Sequence, residues 1–420
     1  MFRMPSSRVL GALFCALFLL APTACDDPTS VGGELVEREG AGPQRVELPL
    51  DVDTVQYAPI TGSARIGESA RFLAGQTSGD PLGDVTATGY VDFAPSLSEI
   101  DPADRAIDSV QFRVRPARDA FYGDTTQATP LALYDLKEEW EAAGARADTS
   151  LPNTVEPQRI TTFSAAPGDS LVTASLPSDW IRRNDEQLRQ IGDSTFAEAF
   201  HGFQVRPVDG GESVAGFSSR ATTLRVVFET GDDEEAPEAS APLTRQLTTI
   251  RQPDPRQPKD RYVIQKGTGR ALAFRFDLPD SLRSAAVNSA TLVLETDSVL
   301  AGSSSDYARP RFSQLDVYDT TDDSLALLSG NRPQTPAALA LSNDRTRFDV
   351  ANFSLSRFVQ DALLGTSDIE RFQLRPGPLT RVLRVPRGSE GVNITSLGSA
   401  LIRRADGHRP RLVLFYTSTE

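Results

Sequence analysis

An alternation of apolar and polar residues with a period of two constrains this 420-residue chain more than any other feature. It begins after the first 45 residues and returns along the rest of the chain, for example at Val110, Phe112 and Val114 and again at Leu412 and Leu414. A period of two puts alternate side chains on opposite faces of a strand, so the pattern indicates half-buried antiparallel strands. Gly, Pro, Asp and Ser turns separate the runs. The sequence therefore predicts an all-β fold built from antiparallel β-sandwiches.

The chain also contains an internal repeat, in which similar short strings return in the same order. Each half has an Asp-Ser or Asn-Ser string, a Tyr-Asp string, a helical stretch, a Phe-Gln string and a closing apolar strand. The matched segments are 108–112 and 288–292, 133–135 and 317–319, 203–207 and 372–376, and 227–230 and 414–417. The repeat predicts two domains of the same fold.

An acidic, proline-containing run at residues 231–238 separates the two halves and is typical of a linker. Residues 26–45 are rich in Gly, Pro and charge and show no apolar period, as in a flexible tether. The predicted organisation is a signal peptide (1–24), a flexible tether (25–45), a first β-sandwich domain (46–230), an acidic linker (231–241) and a second β-sandwich domain (242–420).

Two stretches have the period of an amphipathic helix. In the clearer one, apolar residues recur at i, i+3, i+4, i+7 and i+8 over residues 355–363, with Ser354 and Gly365 placed to cap its ends. The other runs over residues 178–191. We expect both to be short helices across a sandwich edge, with their apolar stripes packed into a core.

The N-terminal residues predict export. Arg3 and Arg8 precede an apolar run at 9–21, which is about 13 residues long, whereas a helix needs about 20 to cross a bilayer. The stretch ends in Ala-Pro-Thr-Ala-Cys, and the placement of Cys25 resembles the lipobox of bacterial lipoproteins, with Pro22 standing where that motif usually has Leu. This resemblance implies acylation of Cys25, with a fatty acid such as palmitate, and a cell-envelope location at the outer membrane or cell surface. The alternative is an ordinary cleaved signal peptide beside a chance cysteine.

The order of the repeated strings is similar to a known module. An Asp-Ser-Val strand, a Leu-Tyr-Asp strand, a short amphipathic helix, a Phe-Gln-Leu-Arg-Pro strand and a final apolar strand look like a DNRLRE-type jelly roll. Two such modules behind a lipidated cysteine resemble a family of uncharacterised bacterial surface lipoproteins. The resemblance implies the fold and the location, and it implies little about function.

Composition excludes several functions. The chain has 43 Lys and Arg against 57 Asp and Glu, a net charge of −14, which disfavours a nucleic-acid partner because phosphate binding needs a basic surface. There are two histidines, His201 and His408, and neither has a cysteine or a second histidine near it in the sequence. The nucleophile-elbow, phosphate-loop and zincin motifs do not occur. We predict no catalytic residue and no enzyme, although two carboxylates alone would suffice to cleave a glycoside.

Two binding chemistries stay open. Calcium prefers carboxylate and carbonyl oxygens, so a structural calcium ion is conceivable, although no metal ligand is assigned and no cofactor is predicted. The candidate acidic residues are Asp51, Asp53, Asp316, Asp319, Asp322 and Asp323. Arg206 and Arg375 occupy equivalent positions in the repeat and could present a guanidinium to an anion or a sugar hydroxyl, or else form an inter-strand ion pair or stack at the surface.

The leading hypothesis is a non-enzymatic cell-envelope lipoprotein that acts as a surface scaffold, stalk or partner-docking module. Its partners would be the membrane, through the lipid at Cys25, and an envelope protein or polysaccharide. The alternative is a carbohydrate-binding surface lipoprotein with an aromatic platform. Aromatic residues make up 7% of the chain, and Trp140 and Trp180 both fall in helical stretches, which favours the scaffold.

Overall fold

The computed structural model describes most of the chain from residue 42 onward. The described ranges are 42–62, 70–97, 105–149, 151, 155–230, 236–297, 307–310, 313–320, 326–328, 330, 337–350, 353–366, 371–377, 396–405 and 407–418. The predicted signal peptide, Cys25 and nearly all of the tether lie outside these residues, as do Asp322 and Asp323.

Strands dominate the described residues, which confirms the all-β prediction. The first half contains β1 (Gln44–Pro49), β2 (Asp51–Gln56), β3 (Arg71–Gln76), β4 (Thr86–Phe93), β5 (Ile107–Pro116), β6 (Tyr122–Asp124), β7 (Thr129–Leu136), β8 (Val155–Ala165), β9 (Val172–Ser175), β10 (Phe203–Pro207) and β11 (Ser213–Phe228). The second contains β12 (Glu238–Arg251), β13 (Arg261–Gln265), β14 (Arg270–Arg275), β15 (Ala285–Asp297), β16 (Tyr307–Ala308), β17 (Gln314–Asp319), β18 (Ala326–Leu327), β19 (Ala338–Leu341), β20 (Arg347–Val350), β21 (Arg371–Pro376), β22 (Ser399–Arg403) and β23 (Arg411–Ser418).

The helices are short. They are α1 (Ser178–Arg183), α2 (Asp185–Arg189), α3 (Phe196–Ala199) and α4 (Leu355–Leu363), together with 3₁₀ turns at Arg118–Ala120 and Asp280–Leu282. The predicted helix over 178–191 is thus two helices that meet at Asn184. The predicted caps of α4 are confirmed, because the Ser354 side chain accepts a hydrogen bond from the Arg357 amide and Gly365 has a φ of 64° just past the end.

Hydrogen bonds connect the described strands into two antiparallel sheets, one of 11 strands (sheet 1) and one of 12 (sheet 2). Each closes over its own apolar core. In sheet 1, Phe112 of β5 contacts Phe203 of β10 with ring centroids 5.7 Å apart, although these strands share no hydrogen bonds, so the core lies between two layers. In sheet 2, Leu292 of β15 and Leu412 of β23 belong to the same buried cluster as Leu374 of β21. Both units are β-sandwiches.

The predicted repeat has a structural counterpart in identical strand register. Tyr134 on β7 lies opposite Gln204 on β10, and Tyr318 on β17 lies opposite Gln373 on β21. The match of the closing strands is wrong by one residue. Val110 pairs with Val226, whereas its counterpart Ala290 pairs with Leu414, so Leu414 corresponds to Val226 rather than to Val227.

The two repeats exchange their first strands. β1 and β2 start the first repeat, yet β1 pairs with β23 and β2 pairs with β14, both in sheet 2. β12 starts the second repeat, yet it pairs with β11 and β4 in sheet 1. The two segments are equivalent: Pro49 and Pro242 pair with matching positions of the closing strands, and each is followed by leucine. This is a reciprocal strand exchange within one chain, the arrangement that domain swapping produces between chains.

The exchange corrects the predicted boundaries. Strands at 44–56 belong to the second sandwich, and the strand at 238–251 belongs to the first, so sheet membership does not follow the division into 46–230 and 242–420. The predicted acidic linker at 231–241 ends earlier, because β12 begins at Glu238. Residues 239 and 241 are buried alanines in the first core, where a linker would be exposed.

Candidate functional site

A polar groove of about 680 Å³ lies on the outer face of sheet 2. Val52, Phe274 and Phe372 point into the core, so the side chains beside them on β2, β14 and β21 face outward. The polar side chains that line the groove are Asp51, Asp53, Arg275, Thr320, Arg371, Gln373 and Arg375.

Strand register sets the order of charges at the open end of the groove. Arg275 pairs with Asp51 on one side and with Arg371 on the other. Two arginines are therefore direct cross-strand neighbours, which is unfavourable without a counter-charge. Among the described residues, Arg275 forms no ion pair, although Asp51 is its other neighbour.

Arg375 is held rigidly at the inner end of the groove. Its guanidinium carbon lies 4.0 Å from the ring centroid of Tyr57 and 5.0 Å from that of Tyr318. Its Nε and Nη2 atoms donate to Oε1 of Gln373 at 3.1 and 2.9 Å. Burial lowers the pKa of Arg375, opposed by the two tyrosines, and a guanidinium remains charged through such shifts. The N–H groups of its Nη1 atom have no acceptor among the described residues.

Two buried ionisable groups lie at this inner end. Asp316 is opposite Arg375 in the sheet and is 4% exposed, and burial raises its pKa to about 6. Its Oδ1 accepts a hydrogen bond from Gln314 at 2.7 Å. Lys266 is 3% exposed, its Nζ has no hydrogen-bond partner among the described residues, and burial lowers its pKa to about 8. Desolvation dominates both shifts; it is opposed at Asp316 by the Gln314 hydrogen bond and the charge of Lys266, and at Lys266 by the charge of Asp316.

The equivalent face of the first sandwich is closed. Arg206, the counterpart of Arg375, stacks on Tyr134 at 4.6 Å. The positions of Asp51 and Arg275 are taken by Arg245 and Asp92, which form an ion pair of 2.6 Å with Asp92 buried. Register places Gly202 where sheet 2 has Arg371. The row formed by Asp51, Arg275 and Arg371 therefore differs in charge from the equivalent row of the first sandwich.

The acidic residues considered for calcium do not converge. Asp51 and Asp53 line the groove, Asp316 is buried, and Asp319 lies on the opposite face of β17 from Asp316. Within the described ranges, no group of three or more His, Cys, Asp or Glu side chains is placed to hold a metal ion.

The two histidines are not near one another in sequence or strand pairing. The carbonyl of His201 accepts a hydrogen bond from Trp140 Nε1 at 3.1 Å. His408 pairs with Glu295, which Arg411 also contacts at 3.1 Å. Burial acts to raise the pKa of Glu295, but the hydrogen bonds from His408 and Arg411 outweigh it and lower that pKa.

A buried polar cluster joins the two sandwiches. Asp80, between β3 and β4, is fully buried and accepts hydrogen bonds from the Tyr307 hydroxyl and from Arg309 Nη2, the latter at 3.1 Å. Arg309 Nη1 also donates to the hydroxyl of Tyr122 at 2.8 Å, and Gln265 Nε2 donates to the same oxygen at 3.2 Å. Tyr307 and its neighbour form β16, which pairs with β6 of sheet 1. We call these five residues the interface cluster.

Apolar contacts surround the interface cluster. Leu82 of the first sandwich packs with Val263 and Leu401 of the second. Leu397, between the last strands of the second sandwich, belongs to a cluster built mainly by the first. The interface therefore has buried apolar contacts and a buried ion pair, which is typical of a fixed interface rather than of a mobile linker.

The two tryptophans do not form an exposed aromatic platform. Trp140 and Trp180 are 3% and 1% exposed, and both side chains fill core positions. The large apolar side chains that are exposed are scattered: Leu97, Leu171, Leu364 and Phe415. None of the described helices is long and apolar enough to cross a membrane.

Sequence reasoning singled out three groove residues and missed the others. Asp51, Asp53 and Arg375 were candidates, and the structure brings them together. Arg275 and Arg371 were missed, although Arg371 stands at even spacing from Arg375 and so on the same strand face. Nothing in the sequence pattern indicates the interface cluster, because its members lie far apart in the sequence and on different elements.

Comparison with known proteins does not assign this chain to a family. No family model matches the chain, and no curated protein matches it. Among solved structures, the Faustovirus major capsid protein has 12% sequence identity over 90% of this chain and 83% of that chain, with a TM-score of 0.09. A TM-score this low carries no argument about fold or function.

Proposed function

We propose that this protein is a non-enzymatic, lipid-anchored scaffold of the bacterial cell envelope, in which two interlocked sandwiches form one rigid body. The observation that carries the proposal is the reciprocal strand exchange, reinforced by the buried interface cluster. A hinge between domains would suit a protein that closes around a substrate. A fixed interface suits a spacer that holds a partner at a set distance from a surface.

The proposed anchor is the lipid on Cys25, and its support comes from the sequence around that residue. The strand exchange determines which sandwich would lie next to the membrane. β1 begins at Gln44, so 19 residues separate it from Cys25 (44 − 25), a span of at most about 65 Å when fully extended. Because β1 belongs to sheet 2, the C-terminal sandwich would be the one tied to the membrane, and the first sandwich would be held outward.

The second candidate function is carbohydrate binding by a surface lipoprotein. The buried tryptophans argue against a platform of stacked aromatic rings. The polar groove of sheet 2 favours recognition through charge and hydrogen bonds instead. We rank carbohydrate binding second. The groove is one local feature, whereas the strand exchange involves both sandwiches and both halves of the chain.

Metabolic labelling with a fatty-acid probe tests the anchor. We expect the full chain to carry the label and to stay with the membranes after a high-salt wash, since each buried methylene contributes about 0.8 kcal/mol to membrane binding. Cys25→Ser should lose the label and leave the membranes. Cys15→Ser is the matched control and should keep both, because Cys15 falls in the predicted signal peptide. A label that persists in Cys25→Ser would contradict the proposal.

A further inference from the structure

The outer edge of β1 is unpaired among the described residues, because β1 is the terminal strand of sheet 2 and pairs only with β23. Just past β1, the amide of Leu50 donates to the carbonyl of Pro410 at 3.0 Å in the same register, which marks a hydrogen-bonded pair. Such pairs alternate along an antiparallel ladder, so the backbone groups of Arg45 and Glu47 point away from β23. Neither of these two amides has an acceptor in the described part of the chain.

The equivalent edge of the first sandwich is covered. Ser240 on β12 corresponds to Glu47 on β1, because each lies two residues before the proline that pairs with the closing strand. The Ser240 amide donates to Oγ of Ser96 at 3.2 Å, and the carbonyl of Pro242 accepts a hydrogen bond from the Ala94 amide at 2.8 Å. In the first sandwich a short segment therefore satisfies the backbone groups that β1 leaves without a described partner in the second.

A second copy of β1 fits this edge in one antiparallel register. When Val46 faces Val46 of the second copy, Arg45 of each copy faces Glu47 of the other, and both outward amides of each strand meet outward carbonyls. A shift by two residues in either direction would place Arg45 opposite Arg45, or Glu47 opposite Glu47. Like charges directly opposite one another destabilise a strand pair, so charge selects the register centred on Val46.

The side chains of β1 suit this pairing on both faces of the sheet. Arg45 and Glu47 are exposed and form an ion pair with each other, and Arg411 also lies 3.2 Å from Glu47. Charges on an edge strand usually repel an added strand, but here each copy offers one positive and one negative side chain in complementary positions. On the opposite face, Val46 and Leu48 pack against the second core and are only partly buried, so a second copy would cover them further.

We infer that the free edge of β1 binds β1 of a second copy of this chain, antiparallel about a two-fold axis at Val46, so that sheet 2 continues from one copy into the next. The partner is a second copy because the strand is complementary to itself in both backbone and charge. The contacts are few, so the protein stays mostly monomeric in dilute solution and pairs where copies are concentrated. This interface goes beyond the scaffold function and does not depend on the lipid anchor.

A cysteine at the two-fold axis tests the pairing in the full chain with Cys15→Ser and Cys25→Ser, in detergent micelles. Val46→Cys places two thiols at directly opposed, non-hydrogen-bonded positions, where Cα atoms are about 4.5 Å apart and a disulfide can form. Leu48→Cys is the matched control on the same strand and face, because its two copies would lie four residues apart, about 13 Å. After mild oxidation, we expect at least about tenfold more disulfide-linked dimer from Val46→Cys than from Leu48→Cys on a non-reducing gel.

Charge reversal tests the register. Added to Val46→Cys, Arg45→Glu makes acidic side chains face each other and Glu47→Arg makes basic ones do so, and each variant alone should cross-link about threefold less than Val46→Cys. An equimolar mixture should regain the yield, with the mixed dimer as the main species in intact-mass spectrometry. Sedimentation equilibrium of the same two charge variants without Val46→Cys gives a second readout, in which the mixture should dimerise more tightly than either variant alone.

Two results would count against this interface. Equal dimer yields from Val46→Cys and Leu48→Cys, in proteins that are folded by circular dichroism, would overturn the pairing of β1 with β1. Homodimers and mixed dimers in random proportions from the two charge variants would overturn the register centred on Val46. Neither result bears on the lipid anchor, because both experiments use chains without Cys25.

Discussion

Arg309 Nη2 lies 3.1 Å from Oδ1 of Asp80, although 229 residues separate the two in the sequence. The carboxylate is fully buried and the arginine side chain is 11% exposed, so the ion pair is isolated from water between the sandwiches. Asp80 also accepts a hydrogen bond from the Leu82 amide at 2.7 Å, which fixes the loop that carries it. A buried pair of this kind holds two elements in one relative position more than it adds net stability.

Asp80→Ala should destabilise the protein by about 3–5 kcal/mol, because it leaves the Arg309 charge buried without its partner. Thermal or urea unfolding of the purified chain measures the loss. Asp179→Ala is the surface control, since its ion pair with Arg182 is exposed on both sides and should contribute little. If the Asp80→Ala variant were as stable as the wild type, water would have to solvate Arg309, and the ion pair would not be buried as described.

Asp316 predicts a pH dependence of stability. Its pKa is raised from 3.8 to about 6 in the folded protein, so the native state binds more protons than the unfolded state between these values. Stability should therefore fall as pH rises from about 4 to about 6, by up to about 3 kcal/mol from this group alone. Asp316→Asn should remove that fall and be more stable than the wild type at pH 7. Chemical unfolding at a series of pH values checks this, and a wild-type profile in the variant would contradict it.

Lys266 predicts the opposite slope at alkaline pH. Burial lowers its pKa from 10.5 to about 8, so the native state binds fewer protons than the unfolded state between these values, and stability from this group should rise from about pH 8 to pH 10.5. Lys266→Met should gain stability at pH 7, because it removes a buried charge that has no hydrogen-bond partner in the described part of the chain. A loss of stability in this variant at pH 7 would mean that the ammonium has a partner in solution.

The apolar stripe of α4 predicts a graded loss of core packing. Leu355 is 4% exposed within the second core, so Leu355→Ala should cost about 2–5 kcal/mol. Phe358 is only partly buried and makes edge contacts with Phe353 and Phe372, with centroids 5.9 and 6.5 Å away, so Phe358→Ala should cost less than a fully buried phenylalanine. Arg357→Ala, with a side chain that is 83% exposed, is the control. A larger loss for Arg357→Ala than for Leu355→Ala in calorimetry would contradict the helix orientation.

Local pattern predicted local structure well. The alternation at residues 110–114 gives β5, and the stripe over 355–363 gives α4, because in each case one face meets a core. The repeat predicted matching strand pairs, and the register of Tyr134 with Gln204 and of Tyr318 with Gln373 bears it out. These features depend on neighbours along the chain.

Strand exchange and the groove could not be predicted, because they depend on which sheet a strand joins. The alternation of apolar and polar residues in β1 would be the same whichever sandwich the strand joined, so it does not indicate the partner sheet. The Pro-Leu pairs at 49–50 and 242–243 were a visible sign that the two segments are equivalent, but they do not say where each one pairs. Arg275 and Asp51 became neighbours only through that choice.

The central claim is that exchanged strands lock the two sandwiches into one body, and cleavage between the repeats tests it most directly. A specific protease site placed at residues 231–235 would leave β1 to β11 on one fragment and β12 to β23 on the other. After complete cleavage, confirmed on a denaturing gel, we predict that both fragments elute together at the size of the intact chain in native size-exclusion chromatography and part only in denaturant. Two separate native peaks at about half that size would contradict the account.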